Sequence, residues 1–90
     1  MFRITEQRGD SRMVLKLEGR VSRAVVDELE ACWRAAAANN DGAVWVDLTD
    51  VDLVDRAGQQ QLARMHRDGA RFLTRGLFMR ELVRELAEVR

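Results

Sequence analysis

The 90-residue sequence has one cysteine, one histidine, one lysine, and no proline or tyrosine. A single thiol excludes a disulfide framework and a zinc finger. A single imidazole excludes a multi-histidine metal site within one chain. No stretch approaches the ~18 apolar residues of a membrane span, and Met1-Phe2-Arg3-Ile4 lacks the long apolar run of a signal peptide. The expectation is a soluble, cytoplasmic protein without membrane insertion, whose lone Cys32 suits a reducing compartment. An excess of either charge is also missing. Fifteen Lys+Arg balance 15 Asp+Glu, with a sequence pI near 6.6. A domain that binds nucleic acid with its whole surface usually carries a large basic excess, so no nucleic-acid partner is expected. Linkers, internal repeats and low-complexity tracts are absent as well. What is present is a normal 47% hydrophobic content, enough for one core, and residues 1–90 are expected to form one domain.

Apolar periodicity divides the chain into elements. Phe2 and Ile4 alternate with Arg3 and Thr5, the pattern of a short strand with one buried face. A polar turn over Gln7 to Arg12 leads to a second strand, Met13 to Leu17, punctuated by Gly19, and the two strands are expected to pair antiparallel. Ser22 can cap the next element. Val25, Val26, Leu29, Cys32, Trp33 and Ala36 share one face of a helix over roughly 23–38, stopped by Asn39-Asn40-Asp41-Gly42. Ala43 to Leu48 reads as a central strand, covered on both faces or paired on both edges. Thr49 to Asp55 reads as a loop with Val51, Leu53 and Val54 tucked between aspartates. A helix over about 57–68 ends at Gly69, followed by a short strand, Ala70 to Leu73. After a break at Arg75-Gly76, Phe78, Leu82, Val83 and Leu86 form the apolar face of a last helix. The order β-β-α-β-α-β-α predicts an α/β fold with a mixed four-stranded sheet and three helices, its crossovers right-handed and joining parallel neighbours.

The strings VLKLEGRV at 14–21 and VWVDLTDVDLVDRAG at 44–58, separated by a helix, resemble the STAS domain family (sulfate transporter and anti-sigma factor antagonist). Val46, Asp47, Leu48, Thr49, Val51, Leu53, Asp55 and Gly58 match that family's h-D-L-s-x-V-x-f-h-D-S-S-G pattern without gaps. The downstream GARFLTRGLFMRELVREL is similar to its last strand and helix with a shortened connection. The resemblance implies a STAS-like fold over the whole chain and a protein-docking surface at the turn 55–58. Asp55, Arg56, Ala57, Gly58, Thr49 and Gln59 are its partner-binding candidates, and an anti-sigma factor or kinase-like regulator is the implied partner. The family's phosphorylated serine follows the aspartate of this pattern. Arg56 stands there and cannot accept a phosphoryl group, so no phosphorylation is expected at that position. Thr49 and Ser22 are the nearest remaining hydroxyls. A second implication is an accessory subunit of an ABC-type lipid transporter, bound to its ATPase. A homodimer is compatible with either.

From the residues alone, Asp55 is expected to cap the helix that follows it, and Gly58 permits close backbone approach there. Five aspartates over 41–55 face six arginines over 56–80, a charge division that could orient a partner about the turn. Asp47, Asp50, Asp52 and Asp55 fail the calcium-loop template, because the sixth position from Asp50 is Asp55 and not glycine. Cys32 reads as a packed thiol, and His66 belongs to a different helix. Trp33 and Trp45 are expected in the core. Arg64, Arg67, Arg71 and Arg75 are interrupted by Gly69 and do not form one basic helix. No catalytic constellation or cofactor motif appears, so the chain is read as a non-enzymatic interaction module without cofactors.

Overall fold

Period-two alternation sorts the sheet into a covered and an open face. In the computed structural model, residues 1–9, 12–39 and 44–88 are described, apart from the side chains at 77–79 and 86–88. The elements are β1 (Phe2–Arg8), β2 (Met13–Val21), a 3₁₀ turn (Arg23–Val25) leading into α1 (Val26–Ala38), β3 (Val44–Val54), α2 (Arg56–Arg67), β4 (Arg71–Leu73) and α3 (Leu77–Glu88). The strands lie in the order β1-β2-β3-β4. β1 and β2 are antiparallel, whereas β3 runs parallel to both β2 and β4. This is the expected mixed four-stranded α/β architecture. Both strand–helix–strand crossovers step the same way across the sheet, so right-handed connections carry α1 and α2 to the same face.

That face holds the core. Met13, Leu15 and Leu17 of β2 and Val44, Val46 and Leu48 of β3 are buried against Leu29 and Trp33 of α1, Leu62 and Met65 of α2, and Leu82 of α3. Each fully buried leucine contributes about 1.5–3 kcal/mol by leaving water. Phe2, Ile4, Phe72 and Val83 are partly buried at its margin.

The opposite face is not covered by helices among the described residues. Central strand β3 is therefore paired on both edges but covered on one side only. Trp45 shows the consequence. Trp33 is in the core, 3% exposed, as expected. Trp45 is not: it is half-buried on the open face, in register between Val14 and Arg71. The Arg12 and Arg71 guanidinium carbons lie 5.4 and 5.8 Å from its ring centroid, close enough for cation–π attraction.

Three boundaries differ from expectation. First, β1 continues to Arg8, and only part of the predicted turn remains. Second, β2 does not end at Gly19 but runs through it to Val21. Gly19 is buried at φ 91°, and a Cβ there would lie 2.0 Å from the Met1 carbonyl oxygen. The glycine admits the Met1 backbone that runs alongside it in the β1–β2 pair, and interrupts no strand. Third, the segment Thr49 to Val54 is strand, not loop. Two irregularities in its pairing with β2, after Asp47 and after Val51, each place one extra β3 residue against the partner strand. These bulges change the inward spacing from two to three, so Leu48, Val51 and Val54 all reach the core. The predicted helix stop over 40–42, the strand start at Ala43, turn residues Asp10 and Ser11, and the side chains of Phe78 and Leu86 lie outside the described residues.

Trp33→Ala is expected to lower stability by about 3–5 kcal/mol, the usual cost of deleting a buried aromatic. Trp45→Ala is expected to cost clearly less, read from urea midpoints at constant m-value. Equal losses would contradict a sheet covered on one side.

Candidate functional site

Asp55 stands alone between the end of β3 and the start of α2. Its backbone is extended, with φ −80° and ψ −178°. One carboxylate oxygen accepts from the Gly58 N–H at 2.8 Å, the expected cap of α2. The other accepts from the Arg23 N–H at 3.0 Å, at the start of the 3₁₀ turn that leads into α1. The Asp55 N–H itself donates to the Val21 carbonyl at the end of β2, at 3.1 Å. One residue thus ties two helix starts to the end of a neighbouring strand. These donors, Gly58 foremost and then Arg23, hold the carboxyl below the ordinary carboxylate range against an opposing effect of burial. The predicted role of Ser22 is corrected by the same geometry. Ser22 precedes the 3₁₀ turn, but its hydroxyl makes no capping bond. At this start the side-chain acceptor is the Asp55 carboxylate, which binds the Arg23 N–H from another segment.

Gly58 is buried where α2 crosses the end of β2. A Cβ at this position would lie 2.2 Å from the Val21 carbonyl oxygen and 3.0 Å from its carbon. The glycine contributes approach distance to the site, and no side chain. One turn along, Gln61 is fully buried, its Nε2 donating to Glu30 Oε1 of α1 at 2.7 Å and its Oε1 accepting from Arg64. Glu30 also accepts from Arg34. The Gln61 donor, with help from Arg34, holds the Glu30 carboxyl below its ordinary value although burial opposes this.

The other candidates distribute unevenly. Arg56 is exposed on the first residue of α2, Ala57 is half-buried, and half-buried Gln59 donates weakly to the Val54 carbonyl at 3.4 Å. Thr49 lies inside β3 at the first bulge, where its N–H and hydroxyl both donate to Asp47 Oδ1, at 2.9 and 2.7 Å. Asp50 pairs with Lys16 across the open sheet face at 2.9 Å, which raises the lysine pKa. Much of the acid anticipated around the turn is therefore engaged locally, by Thr49, Lys16 and the two helix starts. Asp52 remains exposed.

Two residues of this region were not anticipated. Leu53, expected to be tucked away, is 51% exposed. The second bulge leaves it on the outer side of β3, opposite Arg20 and two positions from Asp55. Gln61 was hidden in a run of three glutamines. Its helical spacing from Gly58, Leu62 and Met65, all buried, was the signal that could have found it.

Elsewhere, burial pushes the Cys32 thiol pKa up, in keeping with a packed cysteine. His66 stacks on Phe72 with ring centroids 6.0 Å apart. Among the described residues, no group of three or more His, Cys, Asp or Glu is arranged to hold a metal ion, and no helix is long and apolar enough to cross a membrane.

A family model described as "Mlab, STAS domain" matches residues 4–89. No curated protein matches significantly. Among solved structures, an anti-sigma factor antagonist from Mycobacterium paratuberculosis superposes with TM-score 0.84 at 19% identity, over 98% of this chain and 80% of that one. The anti-sigma factor antagonist SpoIIAA in its unphosphorylated form gives TM-score 0.64 at 18% identity, covering 91% and 80%. An antisigma-factor antagonist STAS domain from Rhodobacter sphaeroides gives 0.60 at 22%, covering 81% and 84%. At such identities the likenesses establish a shared fold.

Gly58→Ala tests the close approach, because a helical glycine usually gains about 1 kcal/mol on becoming alanine. Here it is expected to lose about 1–3 kcal/mol through overpacking against Val21, with a lower urea midpoint. A gain would refute the contact. Asp55→Asn tests the capping charge. The stabilisation due to ionised Asp55 is fully present above its ordinary pKa of about 3.9. It is lost as pH falls through the lower folded-state value. The stability gap between the native chain and Asp55→Asn is therefore expected to be widest near neutrality and to close in acid. A gap unchanged between about pH 7 and pH 2 would contradict the assignment.

Proposed function

The chain belongs to the STAS domain family, and on that premise we propose that it is a non-enzymatic protein-interaction module. It docks on a partner regulator through the turn 55–58 and the helix that follows. The observation that carries this reading is the division of labour at the turn. Asp55 and Gly58 are consumed in holding two helix starts against the sheet, whereas Leu53 and Arg56 project outward from the same short segment. An exposed apolar side chain beside a guanidinium, on a rigid support, is suited to anchoring a protein surface. Ordering entropy on binding is small when the contact residues are already fixed. The likeness to anti-sigma factor antagonists supports a sigma-regulating partner, such as an anti-sigma factor or a kinase-like regulator. Ala57, Gln59 and the β3 segment around Thr49 complete the proposed surface.

Arg56 bears on how docking is controlled. It occupies the position that the family pattern gives to a phosphoacceptor serine, and it carries a fixed positive charge. Docking in this reading is governed by partner concentration and not by phosphorylation of the turn. Constitutive docking also favours a second reading, in which the domain is a standing accessory subunit on the ATPase of an ABC-type lipid transporter.

Arg56→Glu and Leu53→Asp are expected to abolish or strongly weaken capture of the partner by the immobilised chain from its native host, with unchanged far-UV circular dichroism. Glutamate at a helix start is electrostatically favourable, so the first variant leaves α2 intact. Unchanged capture by both variants would overturn the reading. The captured protein, a sigma regulator or a transporter ATPase, separates the two versions.

A further inference from the structure

Strand β1 forms one margin of the sheet, with β2 on its inner side and no strand on its outer side among the described residues. Two backbone bonds reveal which of its groups face outward. The Arg20 N–H donates to the Met1 carbonyl, and the Gly9 N–H donates to the Arg12 carbonyl. Both bonds fall on the unbroken antiparallel register that pairs Phe2 with Gly19 and Arg8 with Met13. Hydrogen-bonded pairs recur at every second residue of such a ladder, so Arg3, Thr5 and Gln7 direct their N–H and C=O groups at β2. Phe2, Ile4, Glu6 and Arg8 direct theirs away from it. Among the described residues, no backbone bond outside the ladder involves these four.

An edge of this kind invites another strand unless something blunts it. Several of the usual devices are missing. The chain has no proline, the β1–β2 register has no bulge, and β1 carries no lysine. At the other margin, β4 is only three residues long.

The strand also fits a copy of itself. Phe2 and Ile4 turn toward the core margin, so Glu6 and Arg8 share their side of the sheet. An antiparallel register centred on Thr5 engages all four outward-facing residues, pairing Phe2 with Arg8 and Ile4 with Glu6 in both directions. Centring on Ile4 or Glu6 engages only three, and the second choice sets Glu6 against Glu6. In the Thr5 register Arg8 stands opposite the Phe2 ring, a pairing that cation–π attraction favours. On the open side Arg3 meets Gln7, and Thr5 meets Thr5. No like charges are directly opposed. Net charge does not select the occupant: Arg3 and Arg8 stand against Glu6, with Glu18 opposite Arg3 on β2, and Glu28 of α1 acting with Glu6 on Cys32. The chain as a whole is neutral, so two copies meet without net repulsion. The selection comes from the match of backbone groups. Half-buried Phe2 and Ile4 gain cover in the same step.

We propose that two copies of this chain pair through β1 about a two-fold axis at Thr5. Their sheets join into one, with the helices of both copies on the same side. The proposal does not depend on the docking reading, which concerns β3 and α2.

The test combines sedimentation equilibrium with cysteine cross-linking in a Cys32→Ser background. At about 200 μM the native chain is expected to sediment at twice its 10.3 kDa mass. Glu6→Pro is expected to sediment as a monomer with unchanged far-UV circular dichroism. Glu6 is exposed and its N–H points outward, so proline there removes no bond to β2. In the proposed register the two Thr5 Cα atoms lie about 4.5 Å apart, as in any non-hydrogen-bonded pair. That separation suits a disulfide, so Thr5→Cys is expected to link to itself under mild oxidation. Arg3→Cys is not, because its copies are displaced by about 13 Å along the strands. A monomeric native chain, a Glu6→Pro dimer, or equal cross-linking of Arg3→Cys and Thr5→Cys would each overturn the proposal. The cross-linking comparison decides the register whatever the stability of Glu6→Pro.

Discussion

The carboxylate of Asp55 is the constraint on which the arrangement around the turn depends. Two helix starts would otherwise present unsatisfied N–H groups at the end of the parallel pair β2 and β3. One anion answers both, and its own N–H closes onto the carbonyl of Val21. The junction of β2, β3, α1 and α2 is thereby one hydrogen-bonded unit. Gly58 complements it sterically, because α2 can cross that close to Val21 only without a side chain at the crossing point. Charge and approach distance are two halves of one solution.

A consequence is that scaffold and contact residues alternate along a very short stretch. Asp55 and Gly58 face inward and are fully employed. Leu53 and Arg56 face outward and are exposed. Much of the remaining charge is settled locally: Asp47 serves Thr49 at a bulge, Asp50 meets Lys16, and Arg64 is held by Gln61.

Much of the architecture was legible in the residues. Alternation in β1 and β2, helical spacing in α1 and α2, and the D-x-x-G step at 55–58 identified the elements and the cap of α2. The failures have specific causes. Thr49 to Val54 looked like a loop because two bulges break the period of two, and such irregularities depend on the partner strand. Gly19 looked like a terminator because the reason for it, close approach of Met1 on the neighbouring strand, lies 18 positions away in sequence. Ser22 looked like a cap because the true acceptor, Asp55, lies 32 residues downstream. Trp45 looked like core because an apolar run does not reveal whether a central strand is covered once or twice. Each miss turned on a contact between distant parts of the chain, to which local patterns are blind. The exposure of Leu53 and the burial of Gln61 follow the same logic.

The two tryptophans also give the molecule an internal optical contrast. With no tyrosine present, ultraviolet absorption and emission arise almost wholly from two indoles in opposite settings. Trp33 is sealed beneath α1, and Trp45 lies on the uncovered sheet face beneath two arginines. An aqueous quencher would reach Trp45 long before Trp33. The chain thus carries one probe of core integrity and another of whatever settles on the bare side of the sheet.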